Sequence, residues 1–512
     1  MRILVFHGYL LRGTGSNIYN ANLARALASL GHEVHLFCQD RDAGGFDWVD
    51  ATGDWEDGEL VVRETGKGTG KGTVTVYRPP IGRLLPVYVE DPYEGFEARA
   101  FPSLDEGEID HYVEVNVAAV RDVVEKVGVP DAALANHLVM GPVILARSGI
   151  PAYAVKNHGS DLEYTIRPNP KFVPWASEGL EGASAVLVGS RHTAESLWET
   201  VPGIGLEQKT GLGPPGVDPL RFHPVDRSDA AGILDRLAAE VAAPRREVGQ
   251  AGLGRDPAQA SSALRDFGAA DGPRVVFVGK LIVSKGVDLL VAAWPLVHRE
   301  HPGGRILFAG FGEFADGLRS LVERLSAGDL SGAREIAAEG RGLEGGVAGR
   351  LEMLDSFLAD PPDGYLEAAR QASGSILFTG RLEHDEVASL VPVADAMVVP
   401  STFPEAFGMV AAEAAASGVM PVCARHSGLE EVTATLARDV PDAAPFLSFE
   451  LGPGAVTGIA SDLNGWLGAK SRVRSETEAR LAESADSHWS WEGVARDVIR
   501  ASAGEIRSLP AA

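Results

Sequence analysis

Short apolar runs alternate with amphipathic stretches through the first 213 residues of the chain. Ile3–Phe6, Val34–Cys38 and Ala185–Val188 predict buried strands, because each run is brief, largely apolar and bounded by turn residues. Between the first two runs, Ile18–Leu30 places apolar residues at helical spacing, and Gly31 follows as a stop signal. This strand–helix–strand order predicts parallel strands joined by right-handed crossovers.

The alternation loosens after residue 213 and starts again at Arg274. Val275–Val278, Ile306–Ala309 and Ala396–Val399 predict a second set of buried strands with helices between them. Two successive halves of this kind predict an α/β protein with two Rossmann-like domains facing a cleft. The predicted parts are a first domain (1–213), a linker (214–273) with a surface helical insertion (228–271), a second domain (274–475) with an insertion (326–373), and a C-terminal helix within 476–512.

The composition limits which partners and which cellular compartment are expected for this protein. The net charge of −25 over 512 residues argues against nucleic acid as a partner and gives no general attraction to anionic lipid. Cys38 and Cys423 lie far apart in sequence and predict free thiols in a reducing compartment. No secretory signal and no uncharged apolar run of about 18 residues is visible, so we expect a cytoplasmic protein. Peripheral membrane contact stays open.

The segment Val398–Val422 predicts a strand, a Pro-rich loop and a helix that ends at Gly418. Glu405 falls in the loop, and Glu413 is expected about two turns into the helix. At about 1.5 Å per residue the two carboxylates are roughly 12 Å apart along the axis, which suits the two ends of a nucleoside diphosphate sugar. The helix N-terminus would face the anionic diphosphate. The alternative is an amphipathic helix with one solvated glutamate.

Two lysines follow the predicted strand Val275–Val278. The strand ends at Gly279, and Lys280 and Lys285 lie in the loop beyond its carboxyl end, where open α/β sheets bind ligands. Two cations at this edge would neutralise a diphosphate and stabilise it as a leaving group. Either lysine alone is more often a surface charge.

His158 comes shortly after another apolar run, Ala152–Val155, with Lys156 and Asn157 between them. Gly159 would let the backbone approach a ligand, and Asp161 would either orient the imidazole or cap the next helix. A single histidine at a strand end is more often structural, so its spacing alone does not decide its role.

Two further motifs are weak. Gly13-Thr14-Gly15 starts like a dinucleotide fingerprint, but Ile18 stands where the third glycine belongs, which disfavours an NAD-dependent enzyme. Asp40-Arg41-Asp42 spells D-x-D, a spacing that places Mg²⁺ against diphosphates in some enzymes, but a solvated loop is the favoured interpretation. We therefore assign no metal site and expect no cofactor.

The motifs together, in this order, resemble the glycosyltransferase family 4 enzymes of GT-B fold. The resemblance covers nearly the whole chain except the two insertions. It is carried by Gly13–Gly15, Leu30-Gly31-His32-Glu33-Val34, His158-Gly159-Ser160-Asp161, Pro215-Gly216-Val217-Asp218 with Arg221-Phe222, Gly279-Lys280-Leu281 with Lys285-Gly286, Glu405 to Glu413, and Ser490-Trp491-Glu492.

The resemblance implies that the first domain mainly binds acceptor, that the second binds a nucleotide sugar, and that the C-terminal helix crosses back to the first. It implies catalytic roles for His158, which would contact the donor sugar, for Lys280 and Lys285 on the diphosphate, and for Glu405 on the sugar hydroxyls. The implied donor-binding residues are Gly15, Gly279, Phe407, Gly408, Met409 and, on the ribose, Glu413.

The chain departs from the family pattern in three places. Lys280 stands where the family usually has arginine, so a bidentate grip becomes a point charge. The first glycine loop lacks the usual paired glycines, and Ser427–Glu430 only loosely matches the usual Gly-Gly turn.

The resemblance implies retaining transfer of a hexosyl group from a nucleoside diphosphate sugar to an acceptor hydroxyl on a small molecule, a glycan or a lipid-linked sugar. Acceptor choice is expected to depend on two acidic, aromatic loops of the first domain, Gly44–Val61 and Tyr88–Tyr112. The alternatives are a nucleotide-sugar epimerase or a glycan phosphorylase on a similar scaffold, and a non-catalytic carbohydrate-binding subunit.

Overall fold

The computed structural model describes residues 1–13, 15–67, 70–88, 95–243 and 255–510. The chain forms two compact units, Met1–Gly216 with Trp489–Ala512 and Val217–His488. Each unit is built on a largely parallel sheet with helices between the strands. The predicted α/β class with two parallel-sheet domains is therefore confirmed.

Eleven strands and five helices belong to the described part of the chain before residue 216. The strands are β1 (Arg2–Phe6), β2 (Glu33–Phe37), β3 (Ala51–Glu56), β4 (Glu59–Glu64), β5 (Thr73–Arg78), β6 (Leu84–Val87), β7 (Glu97–Ala100), β8 (Ala132–Asn136), β9 (Ala154–Lys156), β10 (Ala185–Val188) and β11 (Thr210–Leu212). The helices are α1 (Gly15–Ser29), α2 (Glu106–Val127), α3 (Gly141–Arg147), α4 (Val173–Glu181) and α5 (Arg191–Thr200).

The first sheet has the strand order β11-β10-β9-β8-β1-β2-β5-β3-β4. β1 lies at the centre, parallel to β2 on one side and to β8 on the other, with Ile3 opposite both Val34 and Ala132. The strand order reverses there, and open α/β sheets bind ligands at the carboxyl ends of strands beside such a point. The predicted loop Gly44–Val61 is wrong in part, because β3 and β4 form an antiparallel hairpin there. In Tyr88–Tyr112, residues 89–94 lie outside the described residues, and β7 and the first turns of α2 occupy part of the rest.

The second unit contains six strands in its described residues. In chain order the elements are α6 (Ala230–Ala242), α7 (Pro257–Gly268), β12 (Arg274–Val278), α8 (Val287–Glu300), β13 (Arg305–Ala309), α9 (Ala315–Ser326), α10 (Leu330–Glu339), α11 (Glu352–Ala359), α12 (Tyr365–Ala372), β14 (Ile376–Gly380), α13 (His384–Leu390), β15 (Ala396–Val399), α14 (Met409–Ala416), β16 (Met420–Ala424), α15 (Ser427–Asp439), β17 (Ser448–Phe449), α16 (Ala455–Leu467) and α17 (Ser471–Trp489). All pairings in the sheet β14-β13-β12-β15-β16-β17 are parallel, and β12 lies beside β15.

The segment predicted as a surface insertion at 228–271 packs into the second unit. α6 and α7 lie against each other, and α7 also contacts β14. Leu234 and Phe267 are fully buried, and Arg255 forms a buried ion pair with Glu386 at 2.7 Å. The amphipathic spacing of these helices buries one face of each. Residues 244–254 of the predicted insertion lie outside the described part.

The predicted insertion at 326–373 is mostly helical. α10, α11 and α12 each bury an apolar face, with Leu354 and Ala372 fully enclosed. A short 3₁₀ turn, Arg341–Glu344, connects α10 to the segment before α11.

The C-terminal region contains the end of α17 and a last helix, α18 (Trp491–Ser502), which lies within the range 476–512 that was predicted to contain a C-terminal helix. Ser490 caps α18 by accepting a hydrogen bond from the backbone N–H of Gly493. α18 packs against α1 and β8 in the first unit. Trp491 lies edge-on to Tyr19, with 5.5 Å between ring centroids. A Cβ at Gly216 would come within 2.6 Å of the Trp491 ring, so a glycine is required there.

Two further expectations concern the cysteines and the helices. Cys38 and Cys423 are both free and buried, so the predicted free thiols are confirmed. Among the described helices, none combines the length and apolar character needed to cross a bilayer.

Candidate functional site

The loops after β12 and β15 meet closely in the second unit. Gly286 has a left-handed φ of +64°, and a Cβ there would lie 2.0 Å from the backbone oxygen of Pro400. The backbone N–H of Thr402 donates to the oxygen of Ser284 at 2.9 Å. The glycine therefore allows the turn that carries Lys285 to lie against the loop that carries Glu405.

Glu405 and Lys285 form a salt bridge at this contact. Lys285 Nζ donates to Glu405 Oε1, and Ser401 Oγ donates to the same oxygen at 2.6 Å. The backbone N–H of Glu405 donates to Ser427 Oγ at 2.9 Å. The side chains of Lys285 and Glu405 are 32% and 23% exposed, so both remain accessible to a ligand. The structure thus brings together two of the predicted site residues.

Glu413 lies closer to the start of its helix than predicted. α14 begins at Met409, so Glu413 is about one turn into the helix rather than two. Gly408 caps the helix with a φ of +105°, and a Cβ there would come within 2.6 Å of the Leu429 side chain. Glu413 is only 6% exposed and accepts a hydrogen bond from His384 Nε2 at 3.0 Å.

His384 is a site residue that the sequence did not reveal. Burial alone would lower its pKa, but the hydrogen bond and the negative charge of Glu413 outweigh burial and raise the pKa above its ordinary value. Its contact with Glu413 joins the start of α13 to α14. Sequence spacing gives no signal for this pair, since 29 residues and a strand separate the two side chains.

The backbone before α14 is closely packed. A Cβ at Gly428 would come within 2.4 Å of the Phe407 Cα, so the chain before the helix lies directly on the start of α15. Phe407 is buried, and Gly408 and Met409 follow it into the helix. The first N–H groups of a helix have no partner within it, and those of α14 can therefore donate to an anion.

Gly279 and Lys280 lie at the end of β12. The N–H of Gly279 donates to the oxygen of Ala309 at 3.1 Å, and Lys280 follows with an exposed side chain. In the described part of the chain, Lys280 forms no hydrogen bond or ion pair, whereas Lys285 is paired with Glu405. The two lysines therefore differ: one is fixed and one extends into solvent.

His158 lies in the first unit, at the carboxyl end of β9. Its Nε2 donates to Asn136 Oδ1 at 2.8 Å, and Tyr19 lies edge-on to its ring at 5.1 Å between centroids. Asp161 is fully buried and accepts from the backbone N–H of Leu138 at 2.5 Å. Of the two roles considered for Asp161, orienting the His158 ring is therefore wrong, because Asn136 orients it.

A chain of buried hydrogen bonds runs from His158 to the end of β1. Asn136 Nδ2 donates to Asn20 Oδ1 at 2.7 Å, and Asn20 Nδ2 donates to His7 Nδ1 at 3.0 Å. His7 Nε2 in turn donates to Asn17 Oδ1 at 2.9 Å. The side chains Asn136, Asn20, His7 and Asn17, which we call the polar network, come from β8, from α1 and from the position directly after β1.

Burial lowers the pKa values of the basic groups around the polar network. It lowers the pKa of His158 well below its ordinary value, with smaller contributions from nearby positive charges. It lowers the pKa of His7 to about 3 and that of the buried Lys156 to about 7. Neutral His158, with Nε2 donating to Asn136, therefore presents Nδ1 as a hydrogen-bond acceptor.

The sequence carried a signal for part of this network. His7 and Asn136 follow the apolar runs at Ile3–Phe6 and Ala132–Ala135, in the same position that singled out His158 and Lys280. Neighbouring parallel strands end at the same sheet edge, so polar residues that follow them meet there. Asn17 and Asn20 carry no such signal, because they lie on α1.

The two weak motifs, Gly13–Gly15 and Asp40–Asp42, lie at the start of α1 and in the loop after β2. Gly15 begins α1 and is exposed, and Thr14 lies outside the described residues. Asp40 is not solvated as predicted: it is 5% exposed and accepts from the backbone N–H groups of Leu11 and Asp42 at 3.1 and 3.0 Å. Over the residues that the structure describes, no group of three or more His, Cys, Asp or Glu side chains is placed to hold a metal ion.

Two family models match the chain. "Glycosyl transferase 4-like domain" matches residues 14–202, and "Glycosyl transferases group 1" matches residues 365–437, which includes α14. The chain therefore belongs to the glycosyltransferases of the family 4 type, and the resemblance predicted from its motifs is confirmed.

Curated relatives match parts of the chain. A glycogen synthase from Mycobacterium tuberculosis (strain CDC 1551 / Oshkosh) is 31% identical over 157 residues, which cover 31% of this chain and 27% of that protein. A D-inositol 3-phosphate glycosyltransferase from Segniliparus rotundus is 26% identical over 304 residues, which cover 59% of this chain and 48% of that protein. The matched regions thus span less than half of each relative.

Solved structures match the whole fold. The HepE protein from Anabaena, determined with UDP and glucose, aligns with a TM-score of 0.52 and 14% identity over 97% of each chain. At this identity the similarity shows the fold alone, and the predicted GT-B fold is confirmed.

Proposed function

We propose that this protein transfers a hexosyl group from a nucleoside diphosphate sugar to an acceptor hydroxyl, with retention at the anomeric carbon. The observation that carries the proposal is the Lys285–Glu405 pair beside the first turn of α14. A fixed cation, a carboxylate and unpaired helix N–H groups are the chemistry that a diphosphate joined to a sugar requires.

Each part of the proposed nucleotide sugar has a complementary side chain in the second unit. Glu413, buried on α14, would accept hydrogen bonds from the ribose hydroxyls. Glu405 would accept from hydroxyls of the transferred sugar. Lys285, the N–H groups of Gly408 and Met409, and the solvated Lys280 would neutralise the diphosphate.

The proposed reaction depends mainly on electrostatic stabilisation of the leaving diphosphate. As the anomeric carbon becomes oxocarbenium-like, charge builds on the departing diphosphate, and preorganised donors stabilise that charge most in the transition state. The salt bridge already fixes Lys285 in place, so little reorganisation is needed when the bond breaks. We propose that no metal ion takes part.

His158 would contact the donor sugar as an acceptor rather than as an acid. Its Nε2–H is used by Asn136, and burial keeps the ring neutral, so the Nδ1 lone pair is the group left to bind a sugar hydroxyl. The first unit would supply this residue and the acceptor-binding loops.

The names and ligands of similar proteins support the proposal. Among the matched relatives, one is named a glycogen synthase and another a D-inositol 3-phosphate glycosyltransferase. The HepE structure, of the same fold, was determined with UDP and glucose. A nucleotide sugar is therefore the donor class to test first.

The test begins with donor binding. A donor that binds only the folded protein must raise its melting temperature, so UDP-, GDP- and ADP-sugars are compared by thermal shift. The stabilising donor is then incubated with glucan oligosaccharides, polyol phosphates and lipid-linked sugars, and the anomeric configuration of the product is read by NMR. A retained configuration is expected.

Other outcomes point to other functions. A changed donor without any acceptor would indicate an epimerase, and turnover that depends on inorganic phosphate would indicate a phosphorylase. Donor binding without turnover across the acceptor panel would overturn the proposal in favour of a non-catalytic subunit.

A further inference from the structure

His384 makes a contact that its own helix does not need. It is the first residue of α13, whose start is already capped: Glu383 and Glu386 form a reciprocal capping box, with the N–H of Glu383 donating to Glu386 Oε2 at 2.7 Å. The His384 side chain instead donates to Glu413 at 3.0 Å on another helix. Its role therefore concerns Glu413 rather than the stability of α13.

The position of the imidazole is fixed on its other sides. The Phe222 ring lies 5.1 Å from it between centroids, and Arg221 Nη1 lies 3.4 Å from Nδ1. Arg221 is itself held by Asp385 at 3.0 Å and Asp218 at 3.6 Å. A guanidinium has only donors, so Nδ1 accepts from Arg221, and the Nε2–H group donates to Glu413 Oε1. The neighbours of His384 thus select one tautomer and one ring orientation.

We infer that His384 is a positioning residue that sets recognition of the ribose by Glu413; this inference rests on the proposed function. Because His384 holds Oε1, the plane of the Glu413 carboxylate is fixed and Oε2 is directed consistently at its ligand. A buried carboxylate that lost this donor would rotate or take up a proton, and its grip on a hydroxyl would weaken. Glu413 held in this way would select a ligand with a vicinal diol, the group that a ribonucleotide has and its 2′-deoxy form lacks.

The matched variants are His384→Gln and His384→Asn. The Gln amide nitrogen reaches about as far as the histidine Nε2 and can still donate to Glu413, whereas the Asn amide stops about where Nδ1 lies. The two replacements are both neutral amides and differ by one methylene group. His192→Ala, at an exposed position on α5 of the first unit, serves as the control.

The experiment measures dissociation constants by calorimetry for UDP and ADP, each beside its 2′-deoxy form. The wild-type protein is expected to prefer the ribose form of whichever nucleotide it binds. H384N should lose about tenfold of that preference, the size expected for a hydrogen bond to a charged group, while H384Q and the control keep it. Binding of the 2′-deoxy form should stay within twofold in all four proteins.

Three outcomes overturn the inference. If H384N keeps the preference, His384 does not position Glu413. If H384N and H384Q weaken both forms equally, the residue is merely structural. If wild-type protein binds neither nucleotide, the proposed function itself fails and the inference falls with it. Equal melting temperatures of H384N and H384Q without nucleotide show that both variants fold.

Discussion

In each unit, polar groups lie at the carboxyl ends of the strands of that unit's own sheet. The basic groups are buried in the first unit, whereas in the second a cation and a carboxylate are paired at a partly exposed position. In the first unit, His7, His158 and Lys156 lie at or just beyond strand ends, and burial pushes all three toward their neutral forms. In the second unit, Lys285 and Glu405 form an ion pair at a partly exposed position.

The difference follows from solvent access. A cation that is buried loses hydration, so burial lowers the pKa of a histidine or a lysine. A pair of opposite charges at a partly exposed edge keeps hydration and Coulomb attraction together. The first unit therefore offers neutral hydrogen-bonding groups, suited to hydroxyls, and the second offers charges, suited to a diphosphate.

The strongest test of this contrast removes the cation of the second unit. Lys285→Ala should lower kcat by about 10²–10³-fold, the usual loss when one preorganised donor to a developing charge is removed. Acceptor KM should change much less. Steady-state kinetics with Lys470→Ala, an exposed lysine of the same unit, provides the control. Unchanged kcat with a raised donor KM would contradict the role in the transition state.

The next test removes a buried carboxylate from the first unit. Asp161→Ala leaves the backbone N–H of Leu138 buried without its acceptor, at a cost of about 3 kcal/mol. Hydrogen exchange in peptides spanning 132–140 should then accelerate by more than about 100-fold. Asp42→Ala, at an exposed position, should leave exchange in those peptides unchanged. Equal protection in both variants would show that the carboxylate is dispensable.

Acid should weaken the first unit through its neutral histidines. The pKa of His7 is about 3 in the folded chain and 6.5 when unfolded, so between these values only the unfolded chain takes up a proton. The stabilisation is complete above about pH 6.5 and is lost as pH falls toward 3. Going from pH 7 to pH 5 should cost about 2 kcal/mol through His7 alone. Urea denaturation of His7→Gln should show a flatter pH profile; an unchanged slope would assign the acid sensitivity to other groups.

The smallest expected effect concerns a hydrogen bond that supports the loop after β12, which carries Lys285. Glu344 Oε1 accepts the backbone N–H of Val283 at 2.6 Å, two residues before Lys285. Glu344→Ala should raise donor KM by about fivefold, the equivalent of one hydrogen bond, with kcat little changed. Glu344→Gln keeps an acceptor and should restore KM, and Glu339→Ala, exposed on α10, is the control. If the Gln variant resembles the Ala variant, the loop does not depend on this bond.

Much of the fold follows from local pattern. Ala185–Val188 and Ala396–Val399 form strands with the predicted bounds, because four apolar residues between turns have few other stable arrangements. The meeting of Lys285 and Glu405 also follows from the sequence, since each lies beyond the carboxyl end of its strand and β12 pairs with β15.

The rest depends on contacts that local pattern does not encode. His384 reaches Glu413 only because the fold brings the start of α13 close to α14, and Asn136 reaches Asn20 across 116 residues of chain. Asp161 follows His158 in sequence but points to Leu138, since a buried N–H there needs an acceptor. α14 begins directly after its Gly408 cap, so Glu413 lies one turn closer to the helix start than predicted.

The return of α18 to the first unit has a consequence for biosynthesis. The chain leaves this unit after Gly216 and completes it only with the helix that begins at Trp491. At about 5–20 residues per second, a ribosome needs on the order of 15 to 55 s to make the intervening unit. During that interval Tyr19 and Gly216 lack the indole that covers them, so the nascent first unit is a natural client for chaperones until α18 has been synthesised.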